Sequence, residues 1–251
     1  NLFRSALFGC AALFFVALTA GQARADGIMY KGPDPCFPAG VGRGCGPDRA
    51  PHVLTLQQHG TEDGAVGRST STSGDVRTGD WQRGSNTQTV TLAQIGTTNA
   101  GDIEIYFDIN EPNSGQTINT VTLNSLVLNA YDSAGNNIFS ASLLPGTVPD
   151  GGNLSQLGSG QGHSDYVFGL DPAAAARLQA AINAHPDLRL GLSANISSAQ
   201  GGPESFFIGS APAAVPEPTT MFLFGTGLAG LAARARKRRK QAAAAKDAGT
   251  D

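Results

Sequence analysis

The chain has 251 residues and a formal net charge of -3, but the charge is divided: residues 26–215 carry 17 acidic and 8 basic side chains, whereas residues 234–251 carry 7 basic and 2 acidic. An acidic body whose one lysine is Lys31 lacks the Lys and Arg density that neutralises phosphates, which excludes nucleic acid as a partner. Its Gly, Ser, Thr and Asn content, with short β-branched runs, favours a turn-rich β protein with one core over a helical one.

At the amino end, Arg4 precedes an apolar run over residues 6–20, and Ala23-Arg24-Ala25 places small residues where a signal peptidase reads before cutting. The expected cut lies between Ala25 and Asp26. The run is shorter than the ~20 residues of a spanning helix, which sets the signal-peptide reading ahead of an anchor. Leu7-Phe8-Gly9-Cys10 resembles a lipid-attachment box, but the apolar run continues well past Cys10, against lipidation there. Residues 26–51 are rich in Gly and Pro and hold Cys36 and Cys45, an even pair for an exported chain. They are read as an irregular arm tied by a Cys36–Cys45 disulfide, ahead of two free thiols. Zinc is disfavoured because no second pair follows at zinc-site spacing.

A first strand is expected over 53–57. Residues 60–86 have almost no large apolar side chain and are expected to form a long mobile loop, in which Trp81, the sole tryptophan, either stacks on a sugar or pins the loop to the core. Residues 102–110 alternate, with Ile103, Ile105, Phe107 and Ile109 on one face and Glu104, Tyr106 and Asp108 on the other. Val121 and Leu123, then Leu126 and Leu128, change phase near Ser125, which marks a bulge. Residues 132–137 form a turn into a strand over 138–143, a β-hairpin. Later strands are expected at 165–170, 188–196 and 204–208. Between the first two of these, Asp171 is a suitable N-cap, Pro172 a first helical residue, and Leu178 and Ile182 share one face of a helix that Pro186 stops. The expectation is a mainly β body, a β-sandwich with one inserted α-helix.

Few residues suggest chemistry. His52, His59, His163 and His185 form no pair at helical metal-ligand spacing, and His185 suits a helix C-terminus. Gly158-Ser159-Gly160-Gln161-Gly162 sits in a glycine-rich loop and not in the strand-to-helix turn of a serine nucleophile. No enzyme chemistry is expected. Asp108, Asn110 and Glu111 at one strand end, with Asp132 and Asn136 at a later turn, form a candidate oxygen-ligand set for calcium; the same residue types are what turns require, and that reading is favoured. No other cofactor is expected.

At the carboxy end, Pro216-Glu217-Pro218 is followed by an apolar stretch over 221–233 and the basic cluster Arg234, Arg236, Lys237, Arg238, Arg239 and Lys240. The prolines keep the first part extended, the apolar part suits membrane insertion as a helix, and the basic part fixes its end on the cytoplasmic side. This order of parts resembles the PEP-CTERM sorting signal, with Pro216, Glu217 and Pro218 matching the naming tripeptide and Arg234 and Arg236 opening the basic end; residues 241–251 extend beyond it. The resemblance implies an exosortase as processing partner, cutting near the tripeptide and releasing or transferring the body.

The expected organisation is a signal peptide (1–25), an arm (26–51), a β-rich extracellular domain (52–211), a sorting segment with a transmembrane helix (212–240) and a tail (241–251). The expected role is a non-catalytic surface or extracellular-matrix protein associated with exopolysaccharide or biofilm, with transient contact with the inner membrane. The alternatives are a secreted carbohydrate-binding protein and a secreted hydrolase. Signal peptidase and exosortase are the expected processing partners.

Overall fold

The computed structural model describes residues 26–35, 50–72, 74–111, 119–157, 164–211 and 234. The expected signal peptide, the Cys36–Cys45 pair, residues 158–162, His163, the Pro216-Glu217-Pro218 tripeptide, Arg236, the apolar stretch and the tail lie outside them. The chain divides into two units, residues 1–210 and 211–251.

The first unit is mainly β. Its strands are β1 (Gly27–Pro33), β2 (His52–Leu56), β3 (His59–Arg68), β4 (Asp75–Gly79), β5 (Val90–Thr91), β6 (Ile103–Asp108), β7 (Thr120–Tyr131), β8 (Asn137–Leu143), β9 (Asn153–Ser155), β10 (Tyr166–Leu170), β11 (Arg189–Gln200) and β12 (Glu204–Ser210). Two helices join them, α1 (Leu92–Ile95) and α2 (Pro172–Ala184). The strands form one sheet in the order β2-β12-β6-β10-β1-β8-β7-β11-β3-β4, with β5 paired to β11 and β9 to β7. This sheet curls until its ends meet. The far edge of β2 is taken by the segment after β4: Gln57 N–H donates to Asp80 O at 3.0 Å, Gln82 N–H to Thr55 O at 2.9 Å, and Leu56 and Trp81 form an antiparallel bridge.

One apolar core fills the interior. Ile28, Leu54, Phe107, Leu126, Leu128, Phe168, Leu190 and Phe206 are fully buried in it. Phe107 of β6 and Phe206 of β12, partners in the register, stack at 4.4 Å between centroids. The alternation expected for β6 is present, but both of its faces are buried. Tyr106 packs with Val167 and Phe207 in a second, smaller cluster, and Glu104 accepts from Lys31 Nζ at 2.7 Å and Tyr106 Oη at 2.9 Å.

The helix between β10 and β11 forms as its sequence predicts. Asp171 caps it by accepting from Ala174 N–H at 2.7 Å, Pro172 begins it, and Ala174, Leu178 and Ile182 are its buried face. The phase change expected near Ser125 is a bulge at its neighbour: Asn195 pairs with Ser125 and Ile196 with Leu123, leaving Asn124 as the extra residue.

Two expectations are corrected. Residues 26–51 are not irregular throughout, because β1 lies inside the sheet, antiparallel to β10 and briefly parallel to β8. Residues 60–86 are not one long loop but hold β3, β4 and the closing bridge. Their inward positions carry Glu62, Gly64 and Val66, so the period of two is real but not apolar. At Gly64 a Cβ would stand 2.5 Å from Leu56 Cδ2; the space is filled by the side chain of the strand across from it.

Candidate functional site

The sheet has two ends. Where β6, β2 and β11 finish and β3 and β12 begin, the β2–β3 and β11–β12 turns meet the residues after Asp108. The opposite end holds the β7–β8 turn and the starts of β6 and β11, and β1 begins level with the start of β6 across β10.

The first of these ends carries an open cleft of about 480 Å³, lined by His52, Thr55, Gln82, Arg83, Asn86, Asp108 and Ser205 among others. β2 and β12 present Thr55 and Ser205, whose hydroxyls bond at 3.2 Å. The segment after β4 forms the rim, held by Ser85 Oγ, which donates to Gln82 O at 2.7 Å, and by Thr87 Oγ1, which accepts from Thr55 N–H at 3.1 Å. Burial lowers the pKa of His52, which sits edge-on to Phe207 at 4.0 Å with no hydrogen-bond partner for Nδ1. Serine, histidine and aspartate thus share a cleft, but no hydrogen bond joins Ser205 to the imidazole, as a serine nucleophile and its base require. The lining is hydroxyl, amide, guanidinium and imidazole groups around one buried carboxylate.

Beside the cleft three glutamates are buried: Glu62 on β3, Glu204 at the start of β12, and Glu111 beyond β6. Glu111 accepts from Gln200 N–H at 2.7 Å and Gly202 N–H at 3.4 Å, and Glu62 accepts from Gln58 N–H at 2.7 Å. Glu111 thereby ties the β11–β12 turn to the end of β6, and Glu62 ties the β2–β3 turn to β3. Gly202 allows the approach, since a Cβ there would stand 1.8 Å from Asn110 O. Burial, then the adjacent carboxylate, drives the pKa of Glu204 far above the usual carboxylate range, and burial raises that of Glu62.

The candidate calcium set is not assembled. Asp108, buried on the cleft wall, Asn110 and Glu111 belong to the first end, whereas Asp132 and Asn136 lie in the β7–β8 turn at the other. Asp132 accepts from the backbone N–H of Asn136 at 2.8 Å and from its Nδ2 at 2.9 Å, a turn-forming pair. Among the described residues no group of three His, Cys, Asp or Glu is arranged to hold a metal ion. Trp81 packs against the core with Arg77 over its ring at 5.5 Å, so it pins its segment. His185 caps the C-terminus of α2, as its position in the sequence suggests. The Glu62–Glu204 contact was not legible in the sequence, where the two are 142 positions apart and nothing pairs them.

The C-terminal segment provides the decisive comparison. The family model of the PEP-CTERM protein-sorting motif matches residues 214–239. The chain carries a PEP-CTERM sorting signal. The match takes in Pro216, Glu217, Pro218, Arg234 and Arg236 and makes this an exported protein with an exosortase as its processing partner. Arg234 is helical and exposed. Among the described residues no helix is long and apolar enough to cross a membrane. No curated protein and no solved structure matches the chain.

Proposed function

We propose that this PEP-CTERM protein is a non-catalytic component of the cell surface or the extracellular polysaccharide matrix, delivered by a signal peptide and processed by an exosortase. The observation that carries the reading is the matched motif at residues 214–239. In this reading residues 221–233 hold the precursor at the inner membrane, the basic cluster fixes its orientation, and the enzyme cuts near Pro216-Glu217-Pro218. The body is a sandwich-like β module whose two leaves are β2-β12-β6-β10-β1 and β8-β7-β11-β3-β4. The test is intact-mass measurement of the surface form: it should begin at Asp26 and end close to Pro218. Glu217→Ala, or deletion of residues 234–240, should leave an uncut membrane-held precursor. A mature form that still carries residues 221–251 overturns the reading.

The cleft favours a second reading, carbohydrate binding at the surface, because its lining offers hydroxyl, amide and guanidinium partners to a hydroxylated ligand. A glycan array probed with the full chain should then show binding that Arg83→Ala weakens by about tenfold, the loss expected for one hydrogen bond from a charged group. An array without signal rejects this second reading and leaves the first intact.

A further inference from the structure

The buried glutamates pose a problem of charge. Glu62 and Glu204 are fully buried, and their side chains lie within hydrogen-bonding reach of each other. Among the described residues, no other residue's N–H or O–H donates to Glu62 Oε2 or to either carboxyl oxygen of Glu204. Two ionised carboxylates are acceptors only, so they cannot bond each other. Buried polar groups are almost always partnered, and a buried charge without a partner is strongly disfavoured. The charged groups acting on the pair are Glu111 from beyond β6 and Asp80 from beyond β4, both acidic; β11 and the β11–β12 turn offer backbone N–H groups, which Glu111 takes. One proton resolves the conflict by turning one carboxyl into a donor to the other.

We propose that Glu62 and Glu204 share one proton in the folded body, making the end of the sheet that they join a latch which holds in acidic and neutral surroundings and loosens in alkaline ones. Loss of the proton leaves two buried negative charges in contact beside Glu111. The β2–β3 turn, which Glu62 holds through Gln58, and the start of β12, which carries Glu204, are then pushed apart, and the rim of the adjoining cleft moves with them. The sign follows from the direction of the shift. The folded state keeps a proton that the unfolded chain releases in the ordinary carboxylate range, so the contribution is complete below that range and declines as pH rises above it.

The test is urea unfolding of the full chain from about pH 5 to about pH 8, compared with Glu204→Gln and Glu62→Gln. An amide supplies the missing donor without a titrating proton. The wild type should show an unfolding constant rising roughly tenfold per pH unit relative to either variant, the slope of one proton. Either variant should equal or exceed the wild type in stability at the alkaline end. Infrared spectra of the wild type provide a check that does not depend on the variants folding: a protonated-carboxyl band should persist at neutral pH and shift in heavy water. Parallel pH dependence in wild type and variants, or no such band, overturns the proposal. So does a calcium-dependent rise in stability that abolishes the slope, since the pair would then hold a cation.

Discussion

Phe206 shows how a residue's surroundings set its worth. It is fully buried and stacked on Phe107, so Phe206→Ala should destabilise the body by about 3–5 kcal/mol, through lost transfer energy and the cavity left behind. A lower urea midpoint at unchanged slope is the expected readout; a shift below about 1 kcal/mol would mean that the neighbouring side chains collapse into the space. The sequence marked this residue as an apolar strand position but gave no hint of its partner. The acidic residues were less legible still. Asp132 and Asn136 suit a turn ahead of calcium by residue type alone, and the pairing of β7 with β8 places them in a turn. Glu111 was picked out as an oxygen donor to a cation, whereas it accepts backbone N–H groups from a turn 89 residues away in sequence. An oxygen-rich side chain advertises its chemistry in the sequence; what it meets depends on pairings between distant strands.

At the scale of elements, those with a local signal were legible and those defined by their neighbours were not. Helix α2 announces its cap, first residue, apolar face and stop within sixteen positions of sequence, by local rules. Asp171 does more than cap it, since its other oxygen accepts from Gly27 N–H at 3.2 Å and so joins the helix to the start of β1. Asp171→Ala should therefore cost about 1–2 kcal/mol, at the upper end for a lost N-cap, while Asp171→Asn keeps most of the stability because the amide oxygen still caps. Equal losses for the two variants in urea unfolding would show that charge and not capping carries the effect. The short α1 had a legible signal that composition obscured: Thr91 and Gln94 form a capping box and Gly96 closes the helix in the left-handed conformation. By contrast β3 and β4 were hidden because their small and polar residues satisfy a strand only when larger side chains from neighbours cover them, as in β3 Leu56 covers Gly64 and Tyr131 covers Gly67.

At the scale of the whole molecule, the first and last described strands are both interior. β1 sits between β10 and β8, and β12 between β2 and β6. The sheet is therefore complete only when both of these strands are present. Topology of this kind, made of contacts between distant segments, is the part of the fold that sequence patterning reaches last. It also fixes how the body meets a mechanical load. Ser210 pairs with Ile103 at the end of the sheet where, across β10, β1 also begins, while the cleft and the buried glutamates occupy the other end. A body held through the segment after Ser210 feels a pull along β12, which loads the hydrogen bonds to β2 and β6 side by side and not one after another.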